Sequence, residues 1–313
     1  MPPQPIIHSV YEPTTGTWQY IVACPTTKHA AVIDPVLDLD PASHTITTTS
    51  ADSLLDLLAR EAYTVHYLLE THAHADHLSA SFYLQQRLVA AGHPRPPICI
   101  GRSIQRVQQT VAQRYGIPRA ELDAAFDRLF DDGDHFAIGA VPAAVLALPG
   151  HTPDHIGYRV ADNVFTGDSL FNPDVGSARC DFPGGDARAL YASMKRLLAL
   201  PPAVRLYTGH DYPPAAAAEG ARARDPTPYA TVAEQNERNK HAARGSCEEE
   251  FVRWRAQRDQ ALKEPRLIHP ALQVNVRGGR LPARIQGGQV LLGFAVDVPA
   301  IMLEAVNNGT CAS

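Results

Sequence analysis

Three histidines and an aspartate fall within six consecutive residues, His72-Ala73-His74-Ala75-Asp76-His77. Imidazole and carboxylate are costly to bury without partners, and together they form the ligand set that suits zinc, iron or manganese. Core packing gives no reason for so many imidazoles in one run, so the run reads as a metal site. Residues 63–70 before it are rich in β-branched and aromatic side chains, as in a strand, and residues 78–91 after it read as a helix. Ligands on a loop between a strand end and the next helix occupy the usual site position in α/β proteins.

Three more apolar segments end on groups of the same kind. Residues 141–148 lead into Pro149-Gly150-His151, residues 164–167 into Asp168, and residues 204–208 into Gly209-His210. Glycine or another small residue beside each lets backbone and metal approach closely. His72, His74, Asp76, His77, His151, Asp168 and His210 are thus seven candidate metal ligands. Used together they would hold two metals about 3.5–4 Å apart and lower the pKa of a shared water to about 7, which is hydrolase chemistry. Two histidines and one carboxylate on a single metal leave positions open, which is an oxygenase geometry. The residue types leave both open.

The elements that must position these groups alternate. Residues 6–11 and 17–24 read as strands around the turn 13–16, and residues 30–35 as a buried strand ended by Pro35. Residues 39–50 read as a loop, and Asp52 or Ser53 as the cap of a helix with Leu54, Leu55, Leu57 and Leu58 on one face. A strand at 97–101, a helix at 104–115, a turn at 131–134 and strands at 136–138 and 156–160 follow. Asp186 is the expected N-cap of a helix over 186–199. From about Ala215 the composition shifts to an Ala-rich stretch and then to helical patterns over 232–241 and from Ser246, where Ser246 and Glu249 are spaced as a capping box. Residues 272–276 and 290–293 are expected as edge strands, and the end after Asn307 as frayed.

With 313 residues, 45% hydrophobic and 19% charged, the chain is expected to fold around a sizeable core. A net charge of -5 without a dense Lys/Arg run argues against nucleic acid and anionic membranes as partners. No run approaches the roughly 18 apolar residues of a membrane span, and Met1-Pro2-Pro3-Gln4-Pro5 does not open a signal peptide. The five cysteines, Cys24, Cys99, Cys180, Cys247 and Cys311, are scattered and unpaired in spacing, which argues against a disulfide scaffold. A cytoplasmic, reducing location is the default expectation.

The cluster resembles the His-x-His-x-Asp-His signature of the metallo-β-lactamase superfamily, and Gly150-His151-Thr152, Thr166-Gly167-Asp168 and Gly209-His210-Asp211-Tyr212 follow in that superfamily's order. The resemblance implies an α/β fold, the αβ/βα sandwich of two facing sheets with helices outside. It suggests a catalytic domain over 1–215, with a helical accessory region and extension over 216–313 packed on it. Residues 71–77 and 178–186 are similar to the persulfide dioxygenase group, particularly its bacterial β-lactamase-hydrolase-like branch, over about residues 6–282.

That resemblance implies one Fe(2+) per chain on His72, His151 and Asp168, with Asp76 joining them as a catalytic residue. His74, Asp76, His77 and His210 match positions that bind zinc in hydrolase relatives. The implied reaction brings glutathione persulfide and O₂ together at the iron and yields sulfite and free thiol. Arg179 is the implied anchor for a substrate carboxylate, with Asp181 orienting it, and Tyr212 and Tyr158 flank ligand positions as candidate donors to substrate. The group's Cys-Gly-Arg-Thr-Asp-Phe becomes Ser177-Ala178-Arg179-Cys180-Asp181-Phe182, so Cys180 is displaced and reads as a small buried residue rather than a nucleophile. The alternative is a hydrolase with two Zn(2+) acting on a thioester, lactone or lactam; a non-enzymatic metal module is the third reading. All three take a small-molecule partner or none, and a homodimer stays open.

Overall fold

The first strands of the chain, β1 (Ile6–Glu12) and β2 (Thr17–Ala23), pair antiparallel around a turn at Gly16. Gly16 has φ +73°, and a Cβ there would press within 2.9 Å of the Tyr212 ring, so both turn and neighbour require glycine. The structure is a computed structural model that describes residues 3–213 and 224–294. The 215/216 boundary, the Ala-rich stretch, Cys311 and the end after Asn307 lie outside those residues.

The chain continues through β3 (His29–Ile33), β4 (Val36–Asp40), β5 (Thr45–Thr47), α1 (Thr49–Arg60), β6 (Thr64–Leu69), β7 (Leu78–Ser79), α2 (Ser81–Ala90), β8 (Ile98–Gly101), α3 (Ile104–Tyr115) and β9 (Arg128–Phe130). Next come β10 (His135–Ile138), β11 (Val141–Ala147), β12 (Ile156–Val160), β13 (Asn163–Gly167), α4 (Ala187–Leu198), β14 (Arg205–Thr208), β15 (Tyr229–Thr231), α5 (Val232–Arg238), α6 (Glu248–Gln260) and α7 (Ile268–Asn275). One six-stranded sheet runs β1-β2-β3-β6-β8-β9 and the other β10-β11-β12-β13-β14-β15.

Side-chain alternation explains the layering. Trp18, Tyr20 and Val22 of β2 meet Phe136, Val145, Tyr158 and Phe165 of the second sheet in the central core. Ile21 and Ala23 of the same strand face the other way, toward Leu54, Leu58 and Leu84 of α1 and α2. Such period-two burial on both faces needs a cover on each. The second sheet is covered by α4 and α6, through Leu190, Met194, Leu197 and Phe251. The order is helices, sheet, sheet, helices, as the αβ/βα expectation has it.

Several local expectations are corrected. Where residues 39–50 were expected as a loop, the chain forms the β4–β5 hairpin over 36–47, whose β4 pairs with β7, and then starts α1; the Thr-rich composition suits a strand. Helix α1 starts at Thr49, ahead of Asp52 and Ser53, and Asp52 instead accepts from the Thr48 hydroxyl (2.7 Å). Residues 78–79 are a short strand before α2 starts. Helix α6 has Cys247 at its N-cap with no side-chain cap, so Ser246 and Glu249 make no capping box; Thr231 and Glu234 form one on α5. Residues 272–276 lie on and just after helix α7, and residues 290–293 are in no strand; the tail's edge strand is β15, paired to β14. Asp186 does cap α4, accepting from the backbone N–H of Arg188 and Ala189.

Candidate metal centre

Strand β6 is parallel to β3, so their C-terminal ends lie together, and there the chain turns into the ligand loop. Asp34, just past β3, is buried and accepts from Thr71 N (2.7 Å) and Thr71 Oγ1 (2.9 Å). Since the Thr71 hydroxyl hydrogen is given to Asp34, its oxygen accepts from His72 Nδ1–H (2.9 Å). That leaves His72 Nε2 as the free lone pair, the arrangement by which an outer partner fixes a ligand's tautomer. His74 is held by its other nitrogen: Nε2 reaches Asp34 (3.0 Å) and Glu70 (3.4 Å), leaving Nδ1 free. Burial lowers the His74 pKa, but the two carboxylates override it and raise it well above the ordinary value. His77 Nδ1–H donates to Leu78 O (3.1 Å), again freeing Nε2; burial, with His74 beside it, lowers its pKa to about 4.

The second sheet supplies the rest. His151 follows β11, and its Nδ1–H donates to the Arg179 carbonyl (2.7 Å), so Nε2 faces Asp168 Oδ2 (3.6 Å). Asp168 follows β13. His210 follows β14, with Nδ1 3.3 Å from Thr17 Oγ1 and Nε2 3.1 Å from Asp76 Oδ2. A Cβ on Gly209 would fall 2.4 Å from Asp168 Oδ1, so glycine is what lets these two strand ends converge. Burial would raise the Asp76 pKa, yet His210 and His77 beside it pull it down to about 2.

All seven expected ligands therefore meet in one region, in two groups. His72, His151 and Asp168 bring ligand atoms within 4.8 Å of one another, and so do His74, Asp76, His77 and His210. A third such set, Asp34, Glu70 and His74, lies behind the second group and shares His74 with it. His72 Nε2, His74 Nδ1, His77 Nε2, His210 Nε2, Asp76 Oδ2 and Asp168 Oδ1 are buried without a hydrogen-bond partner. One such atom costs about 1–3 kcal/mol. Six of them turned into one space fit a bound cation, and the nitrogen and oxygen donors suit zinc or iron.

Helices of the tail brace both halves of this centre, through residues that the sequence reading did not single out. Asn275 of α7 donates through Nδ2 to His74 O and His77 O (2.8 Å each), and its Oδ1 accepts from Ser79 N (2.7 Å). On α6, Arg255 donates to Ala178 O (3.0 Å) and Asp259 accepts from Cys180 N (3.0 Å). They grip the loop whose Arg179 carbonyl orients His151. His155 stacks on His72 with ring centroids 4.6 Å apart and accepts from Asp168 N (2.9 Å). Asp154 accepts from Ala73 N (2.8 Å). Polar residues inside apolar stretches, such as Gln273 and Asn275 among Leu272, Val274 and Val276, were the available signal.

A cavity of about 450 Å³, within the usual range for small-molecule sites, opens on Asp76, His151 and Asp168 and is walled by Tyr212, Lys240 and Arg258. Arg179 also lines it, but its guanidinium is bound bidentately by Asp181 (2.6 and 2.5 Å) and donates to Lys263 O. Lys240 and Arg258 are exposed and have no carboxylate partner among the described residues. Tyr212 is 51% exposed at the cavity. Tyr158 is not at the cavity: it is fully buried and donates to Glu70 O (2.7 Å). Cys180 is buried, which pushes its thiol pKa up to about 12, and Cys24, Cys99, Cys180 and Cys247 are all free. No described helix is long and apolar enough to cross a membrane.

The family model described as "Metallo-beta-lactamase superfamily" matches residues 13–210. A "Beta-lactamase hydrolase-like protein" of Agrobacterium fabrum is 44% identical over 295 residues, covering 94% of this chain and 65% of that protein; the chain thus spans just under two thirds of that relative's length. The human "Persulfide dioxygenase ETHE1, mitochondrial" is 30% identical over 210 residues, 66% of this chain and 68% of that protein. Among solved structures, ETHE1 from Myxococcus xanthus superposes with a TM-score of 0.68 at 28% identity, covering 88% of this chain and all of that one.

Proposed function

The chain belongs to the metallo-beta-lactamase superfamily, and from that premise we propose that it is an iron(II) persulfide dioxygenase acting on glutathione persulfide. The observation that carries this reading is the buried group of two histidines and one aspartate, His72, His151 and Asp168, two members of which line the cavity. Two imidazoles and a carboxylate with open positions beside them form the facial triad of non-haem iron oxygenases. The bound iron would supply a meeting point for the persulfide sulfur and O₂. Overall, persulfide, O₂ and water give sulfite and free thiol, with two oxygen atoms of sulfite from O₂ and the third from water.

The chain's own residues do the positioning. Arg179 O and Thr71 Oγ1 hold the His151 and His72 rings so that both Nε2 atoms face Asp168 and the space beside it. Lys240 and Arg258 meet the carboxylates of a glutathione-sized anion at the wall of the cavity, and Tyr212 offers a hydroxyl beside them. Arg179, held bidentately by Asp181, lines the same wall. The printed name of the human relative and the likeness to the Myxococcus structure support the same reading.

A specific observation favours a second reading. His77 Nε2, His74 Nδ1 and His210 Nε2 are also unpartnered, and a second metal beside them would make a two-zinc hydrolase of a thioester, lactone or lactam. Metal analysis of the purified protein, with oxygen uptake on glutathione persulfide, separates the two. One iron per chain and O₂ consumption are expected; two zincs with ester or lactam turnover and no oxygen uptake would overturn the dioxygenase reading.

A further inference from the structure

Across Ala75 and Phe182 from the cation-walled cavity lies a second, smaller one of about 40 Å³. Ala73, Ala75, Val111, Thr152 and Leu272 form its buried floor, and Thr110, Arg114 and Pro183 its exposed mouth. The only unpartnered polar atom on the floor is Thr152 Oγ1. A water needs two to four polar partners, and apolar cavities without them stay dry and take up xenon and other apolar guests. The volume suits a diatomic molecule: one water occupies about 10–15 Å³ on this measure.

Ala73 and Ala75, which line this smaller cavity, alternate in sequence with His72, His74 and Asp76 of the ligand loop. Phe182, which lines both cavities, sets its ring edge against His151, with centroids 5.2 Å apart at 80°. Arg179 stacks over that ring at 5.1 Å.

We propose that this apolar cavity is the oxygen site: O₂ collects behind Ala73 and Ala75 and reaches the metal past Phe182, while the anionic thiol substrate enters by the cation-walled cavity. The inference rests on the dioxygenase reading. Its physical basis is the difference between the two spaces. The polar, positively charged one favours a charged thiol, the apolar one favours an apolar gas, and separate entrances let both reactants be held at once without competing.

The experiment uses the iron-loaded protein and three chains: wild type, Val111→Trp, which fills the floor, and Thr110→Trp, which narrows the exposed mouth and leaves the core untouched. Crystals under xenon pressure should show xenon beside Val111 and Leu272 in wild type and none in Val111→Trp. Steady-state kinetics should show KM for O₂ rising several-fold in both variants, with kcat and KM for glutathione persulfide unchanged. No xenon in the wild-type cavity, or an unchanged KM for O₂ in Thr110→Trp and a folded Val111→Trp, would overturn the oxygen route and leave the dioxygenase standing. Wild type that consumes no O₂ with persulfide would overturn the dioxygenase reading and the route together.

Discussion

The three-residue and four-residue groups share one region of the molecule but are held differently. In the first, a threonine hydroxyl and a backbone carbonyl turn His72 and His151, and the group's own Asp168 lies 3.6 Å from His151 Nε2. In the second, a backbone carbonyl likewise turns His77, but His74 Nε2 sits on two carboxylates from outside the group, Asp34 and Glu70. A neutral outer partner leaves the imidazole ready for a metal. A carboxylate raises its basicity but also satisfies it as a cation without one. The groups thus differ in the charge behind His74, while both keep buried donor atoms without a hydrogen-bond partner.

The largest effect should come from breaking the first group. His72→Ala or Asp168→Ala is expected to abolish stoichiometric metal and turnover, exceeding the roughly 10–100-fold cost of losing an outer partner; full metal content by mass spectrometry in either variant would remove that residue from the centre. Next in size, Asn275→Leu leaves His74 O, His77 O and Ser79 N without their partner and should weaken metal affinity about 10–100-fold. Chelator competition measures this, and an unchanged affinity would confine Asn275 to folding. His210→Ala divides the readings directly. Iron stoichiometry should survive in the dioxygenase, whereas a two-zinc enzyme would drop to one zinc per chain.

Smaller effects test what lies outside both groups. Replacing Lys240 and Arg258 together by Ala should raise KM for glutathione persulfide about tenfold, the scale of one charge-assisted hydrogen bond, with kcat retained; an unaltered KM would place substrate elsewhere. The smallest is a pH effect at His241, which stacks on Trp254 and whose pKa burial lowers to about 4. Its folded pKa lies below its unfolded value of 6.5, so its neutral form costs nothing above pH 6.5. Stability is then lost as pH falls from 6.5 toward 4. After allowance for its partial exposure the loss is on the order of 1 kcal/mol. Urea unfolding of His241→Asn at pH 7 and 4.5 should show a correspondingly flatter pH dependence than wild type.

The candidate ligands could be picked out because each is local: a histidine or aspartate at a strand end announces itself by type and place. The sandwich was legible only through the family resemblance that the order of the motifs carries. What escaped the sequence was long-range or cooperative. The 272–276 segment has the residue types of a strand, and only packing of Ala271 and Val274 against the α1–α2 layer, with Asn275 satisfied by a loop some 200 residues away, makes it helical. The Ser246–Glu249 spacing was right for a capping box, but Tyr191 and Lys195 take the Ser246 hydroxyl instead. The pairing of Arg179 with Asp181 was expected from the resemblance, but the grip of Arg255 and Asp259 on the same loop comes from a helix some 80 residues on, which residue types do not disclose.

The Asn275 clamp also sets an order in time. The ligand loop leaves the ribosome 201 residues before the side chain that ties His74 O in place, roughly 10–40 s earlier at about 5–20 residues per second. Until then the loop's histidines are synthesised but not braced. Tight metal capture should therefore wait until residue 275 has emerged, and a nascent chain halted before it should exchange its metal more freely than one that carries α7.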